Sequence, residues 1–121
     1  MFTISITDFW IQEPDAELSV MNNEASVSCL NAKTEDDLIG CVENADALMV
    51  WHTVKITEKT ISRLKKCTAI VRYGVGYDNI DIAAAAAKRI PVCNVPDYGT
   101  GEVADHAMSM LLSLARNTAF H

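Results

Sequence analysis

The chain has 121 residues, half of them apolar and about a fifth charged, with a formal net charge of −6. That length fits one globular domain, and an acidic chain with no Lys- or Arg-dense face is not built for nucleic acid or an anionic membrane surface. The opening "MFTISITDFW" has neither a basic leader nor a long apolar run, so no signal peptide or membrane span is expected.

Apolar and β-branched runs recur along the chain, separated by helical patterns. A first strand is expected over residues 3–9, where Ile4 and Ile6 alternate, followed by a short helix within 13–23. Val27 and Cys29 mark a second strand over 25–30. Residues 34–44 start as a helix should, with Thr34 placed to cap and three acids in the first turn. A third strand, 45–51, is apolar after Asp46 and ends in Trp51-His52. Ile56, Ile61 and Leu64 give residues 56–66 a helical inner face. The fourth strand, 68–73, leads into a helix over 79–90, with Asp78 or Asn79 as its cap and five alanines for close packing. A fifth strand is expected over 90–95, and a last helix opens at Thr100, which is placed to cap it, with Val103, Ala107, Met110, Leu111 and Leu114 as a stripe.

Continuous apolar runs indicate strands buried on both faces. Alternation of strand and helix at this spacing indicates βαβ units. The expected fold is therefore α/β: a flavodoxin-like parallel sheet of about five strands with helices on both faces. Four cysteines stand singly with no C-x-x-C pair, so neither a zinc nor a redox motif is expected. Cys29, Cys67 and Cys93 lie in or beside apolar runs and read as small buried hydrophobes. Reduced thiols without a leader fit a cytoplasmic protein.

Two glycine stretches need separating. Gly99, Gly101 and Ala104 fit G-x-G-x-x-G/A, the dinucleotide pyrophosphate pattern. That pattern also needs a strand running straight into the loop and a ribose-binding acid at the end of a second strand. Here Pro96–Tyr98 intervene and no second strand follows. The other stretch, "RYGVGYDNID", residues 72–81, places two glycines at the carboxyl end of a strand before a helix. Such a junction either lets backbone N–H groups approach an anion at a positive helix end or is a tight turn needing positive φ. A phospho-receiver domain shares the expected sheet, but it needs acids at the ends of strands one and three and a lysine after strand five. Trp51-His52 and Asn94-Val95-Pro96 stand there instead.

The run "VRYGVGYDNIDIAAAAAKRIPVCNVPDYGTGEVADHAMSMLLSLARN", residues 71–117, resembles the D-isomer-specific 2-hydroxyacid dehydrogenases, and "ALMVWHTVKIT", residues 47–57, resembles their C-terminal-binding-protein branch. The resemblance covers about the last three quarters of the chain. It implies a substrate-binding lobe over residues 1–98 and, over 99–121, a C-terminal crossover helix leading to a Rossmann cofactor domain that this sequence does not contain. The glycine match at 99–104 is then a coincidence.

In that family a hydride passes between nicotinamide and C2 of a 2-hydroxy or 2-keto acid. The resemblance implies NAD or NADP in the intact enzyme and a small 2-hydroxy or 2-keto acid as partner. The family's catalytic Arg, Glu and His lie in or beyond the cofactor lobe. None of Arg72, Glu102, His52 or His106 matches them, so no catalytic residue, no metal site and no bound cofactor are expected in this chain alone, which reads as a shortened form of a longer protein. By the same match, the amides of Val75 and Gly76 hold the substrate carboxylate, Trp51 and His52 line the side-chain pocket, Tyr98 reaches toward substrate, and Thr100 faces the cofactor edge. Arg72 lies near the cleft or pairs with a neighbouring acid. The apolar last helix implies a homodimer. Corepressor relatives use the same lobe to take a short peptide, so a non-catalytic peptide-binding module is the alternative.

Overall fold

A computed structural model describes residues 1–118; the last three positions of the expected crossover segment lie outside the described residues. Five strands, β1 (Phe2–Asp8), β2 (Ala25–Ala32), β3 (Ala47–Val50), β4 (Ala69–Arg72) and β5 (Val92–Cys93), form one all-parallel sheet in the order β2-β1-β3-β4-β5. Four helices accompany them: α1 (Asp15–Met21), α2 (Glu58–Ile61), α3 (Ile82–Ala87) and α4 (Thr100–Arg116). The expected sheet is therefore present, with all its connections crossing over as parallel pairing demands.

Register sets the two faces. Ser5, Leu48 and Ile70 are aligned across β1, β3 and β4, so they share one face with Val50. That face is sealed: Leu48, Val50 and Ile70 join Leu38, Val42, Ile61, Leu64, Ala85 and Ile90 in a single buried cluster under α2 and α3. Each buried Leu, Ile or Val side chain there contributes about 1.5–3 kcal/mol by leaving water. Ile4, Ala47, Met49, Ala69 and Val71 turn to the other face and are only half-buried. The apolar runs predict two covered faces; the second is covered in part, since the helix on that side, α1, is seven residues long.

Helices 34–44 and 56–66 are shorter than their patterns suggest. The first is a single 3-10 turn at Glu35–Leu38. Asp37 folds back to accept the N–H groups of Lys33 (3.0 Å) and Thr34 (2.9 Å), and Gly40 at φ +93° ends the turn. The second stops because the Lys65 amide leaves the helical ladder for the Glu43 carbonyl (2.9 Å). Glu35 ties the two together, accepting from Thr57 N–H (2.8 Å) and the hydroxyl of Thr60 (2.7 Å). Burial would push its carboxyl up, but the bonds from Thr60 and Thr57 outweigh that and hold it below the usual range. For α3 the cap is Asp81, whose carboxylate accepts from Ala84 N–H (2.9 Å), and not Asp78 or Asn79. Strand β5 keeps only two of the six residues expected, because Ile90 closes α3 by donating to the Ala85 carbonyl (2.9 Å). Cys67 is buried as expected and Cys29 half-buried, but Cys93 is exposed because β5 is an edge strand. Thr100 does not cap α4: Gly99 is the cap residue, and no side chain bonds there.

At the amino edge of the sheet, Asp46 accepts from Thr3 N–H (2.8 Å), the Thr3 hydroxyl (2.7 Å) and Lys66 Nζ (3.0 Å). These contacts, the Thr3 backbone first, lower its carboxyl from 3.8 to about 2. A depressed carboxyl stabilises the fold in full above its unfolded value and loses that contribution as pH falls toward its folded value. The stability gap between wild type and Asp46→Asn, read from urea unfolding, should hold constant above about pH 5 and shrink steadily as the pH is lowered toward about 2. A gap that widens on acidification contradicts this assignment.

Candidate functional site

In a parallel sheet of this kind ligands sit beyond the carboxyl ends of the strands. Three loops meet there. The loop after β4 turns on Gly74, which is buried at φ +133°, a conformation that side chains rarely tolerate. Its carbonyl accepts from Val95 N–H (2.9 Å), and Asn94 Nδ2 donates to the Val75 carbonyl (2.7 Å). The loop's carbonyls are thus used internally. Its amides at Val75 and Gly76 donate to nothing among the described residues, and Val75 is 53% exposed. Helix α3 starts only at Ile82, so the expected positive helix end does not lie at these glycines, and anion affinity here rests on the loop amides themselves.

The loop after β3 is held by a buried carboxylate. Asp8, at the end of β1, accepts from the amides of Trp51 (3.1 Å), Thr53 (3.0 Å) and Val54 (3.0 Å) and from the Thr7 hydroxyl (2.6 Å). Asn79 Nδ2 binds the same loop from the other side, donating to the carbonyls of Trp51 and Val54 at 2.8 Å each. Between these two clamps the aromatic side chains form a ladder. Tyr73 stacks on Trp51 with centroids 5.0 Å apart; Trp51 is tilted against His52 at 6.3 Å; His52 stacks on Trp10 at 5.4 Å, and Trp10 on Phe9 at 4.9 Å. Trp10 Nε1 donates to the Thr53 hydroxyl (2.8 Å). At the other end the Tyr73 hydroxyl donates to the Glu17 carboxylate of α1. Burial first, then that carboxylate, pushes the Tyr73 phenol well above its ordinary value.

The structure therefore brings Val75, Gly76, Trp51 and His52 to one edge. The Tyr98 hydroxyl joins them, 3.7 Å from where a Cβ on Gly74 would lie. Thr100 and His106 are exposed on α4 and form no hydrogen bond with this group among the described residues. Arg72 makes no ion pair among the described residues; its Nη1 donates to the Tyr73 carbonyl (2.7 Å). Buried polar atoms without a partner gather at the same edge: Trp51 Nε1, Arg72 Nε and Asn79 Oδ1. Asp8, Trp10 and Asn94 do not stand out from the sequence. An acid ending an apolar strand is the one signal that points to Asp8, whereas Trp10 depends on β1 lying beside β3.

The other glycine pair has a different character. Neither Gly99 nor Gly101 has positive φ, and a Cβ on either meets nothing within 4 Å. The chain's own packing therefore does not require glycine at either position. Gly101→Ala should raise stability by about 0.5–1 kcal/mol, the usual helix gain, in a thermal melt; a clear loss would mean that the glycine is required. A cleft of about 530 Å³ between α3 and β5, lined by Tyr77, Ile82, Arg89 and Cys93 among others, does not include Val75 or Gly76. No helix among the described residues is long and apolar enough to cross a membrane, and no group of three His, Cys, Asp or Glu there is placed to hold a metal.

Residues 5–119 match the family model "D-isomer specific 2-hydroxyacid dehydrogenase, catalytic domain". The chain is 35% identical over 100 residues to a D-3-phosphoglycerate dehydrogenase of Methanocaldococcus jannaschii, covering 83% of this chain and 19% of that protein. It is 31% identical over 106 residues to C-terminal-binding protein 1 of Caenorhabditis elegans, covering 87% of this chain and 15% of that one. Among solved structures, an NAD⁺-bound 3-phosphoglycerate dehydrogenase of Entamoeba histolytica superposes with a TM-score of 0.77 at 28% identity, over 93% of this chain and 38% of that one. The chain thus spans less than a fifth of the length of these curated relatives. With the sheet order, the loop geometry and a family match over nearly its whole length, the chain belongs to the D-isomer-specific 2-hydroxyacid dehydrogenases, and matches them in their catalytic domain.

Proposed function

We propose that this chain forms the carboxylate-holding wall of the active-site cleft of a D-2-hydroxyacid dehydrogenase. The observation that carries this is the pair of exposed amides at Val75 and Gly76, fixed by Gly74 and Asn94 and donating to no group of the chain. Two preorganised N–H donors pointed at an anion are an oxyanion-type contact. In this reading Trp51, His52 and Tyr98 border the substrate's side chain. NAD or NADP, which supplies the hydride in this family, is assigned in this reading to residues other than these.

Hydrogen bonds to a charged group contribute about 1.5–3 kcal/mol each. Two of them give about 3–6 kcal/mol before the cost of association, so a dissociation constant in the millimolar range is expected. Calorimetric titration of the 121-residue chain with oxamate, a pyruvate isostere, should return that order of affinity, while NADH shows no micromolar binding and lactate no turnover. Micromolar NADH binding overturns the division of labour; no oxamate binding overturns the carboxylate wall.

The apolar surface of α4 supports a homodimer formed through that helix: Val103 is 70% exposed and Leu114 79%. A monomer at all concentrations in light scattering contradicts it. A peptide-binding module is the second reading, favoured by the free outer edge of β2, eight residues without charge or proline, and by the likeness to C-terminal-binding protein 1.

A further inference from the structure

We infer that the acid held at this edge carries an aromatic side chain, and that Trp10 is a specificity-determining residue. The inference rests on the carboxylate wall proposed above and adds what lies next to it. Two residues before Val75 the ladder begins: Tyr73, Trp51, His52, Trp10, Phe9, each ring stacked or tilted against the next at 4.9–6.3 Å. The ladder runs from half-buried Tyr73 and Trp51 to exposed His52 and Trp10. Trp10 is 52% exposed, yet it is not loose, because its indole N–H is bound to Thr53 and the loop carrying Thr53 is bound to Asp8. The ladder starts at Tyr73 and Trp51 on the sheet edge that carries the amide pair and leads outward to Trp10. Such an aromatic surface matches a ligand that has a carboxylate at one end and a flat apolar group at the other.

A phosphorylated acid fits this edge poorly. Phosphate recognition needs free guanidinium or ammonium groups. The cations of these two loops are Arg72 and Lys55; Arg72 Nη1 is turned to its own backbone at Tyr73, and its unpartnered Nε is buried out of reach of a surface phosphate. Lys55 alone remains exposed, so a phosphorylated acid belongs in the test.

The experiment compares D-lactate, D-phenyllactate and D-3-phosphoglycerate by nitrogen–proton NMR titration of the full chain. The Val75 and Gly76 amides report the carboxylate. The two indole N–H signals report the ladder, because Trp10 and Trp51 are the chain's only tryptophans. All three acids should move the amides; D-phenyllactate alone should move both indoles and should bind at least tenfold more tightly. Trp10→Ala should bring D-phenyllactate down to the affinity of D-lactate. Equal affinities, or tightest binding of D-3-phosphoglycerate, overturn the aromatic inference and leave the carboxylate wall standing. Amides unmoved by every acid overturn both.

Discussion

Asp8→Ala is expected to destabilise the protein by about 2–4 kcal/mol, because it strands three backbone amides at once, that of Val54 buried and those of Trp51 and Thr53 part-buried, a buried unpaired donor costing about 1–3 kcal/mol. Asp8 is fully buried, and its carboxylate is the acceptor for Trp51, Thr53 and Val54. Nothing else among the described residues accepts from those amides. The loss is also local in its meaning: the loop that Asp8 organises carries Trp51 and His52 and anchors Trp10 through Thr53. Asp8→Asn should recover part of the loss, since one amide oxygen can accept from some of the three donors but its NH₂ group must face another. Urea unfolding of the three proteins decides this; an alanine variant within about 1 kcal/mol of wild type contradicts the clamp.

The second large effect is expected at Gly74. Alanine there costs backbone strain of about 1–3 kcal/mol at φ +133°, and its Cβ collides with Arg72 Nη1. Arginine can swing away, but only by giving up its bond to the Tyr73 carbonyl, about 1 kcal/mol more. The sum is about 2–4 kcal/mol, and the displaced loop should bind oxamate at least tenfold more weakly. Gly76→Ala is the internal control for stability: its φ is not left-handed and a Cβ would sit 3.3 Å from Asp78 Oδ1, so the cost should stay under about 1 kcal/mol. Equal losses at the two glycines would show that Gly74 has no special conformational role.

These two residues also show what a sequence can and cannot disclose. The parallel sheet was legible because strand and helix periods alternate cleanly, and Leu48, Val50 and Ile70 fall on the buried face that their pattern implies. The RYGVG loop was legible because glycines at a strand's carboxyl end have few physical uses. Helix length was not legible. Thr34 and its acids promise a helix, yet Gly40 and the reach of Glu43 to the Gly40 amide (2.7 Å) end it after one turn. Likewise Asn79 looks like a cap, but its side chain is spent on two carbonyls 25 and 28 residues away. Asp8 bonds 43 to 46 residues downstream, and the ladder joins rings from three strand ends. Such pairings follow from β1 lying between β2 and β3, a neighbourhood that no local pattern encodes.

A crystal structure of the chain with oxamate tests the central claim most directly. The oxamate carboxylate should lie about 3 Å from the amide nitrogens of both Val75 and Gly76, with its other end toward Trp51. Oxamate seated instead on Arg89 in the cleft between α3 and β5, with the loop of residues 73–76 carrying no anion, would contradict it.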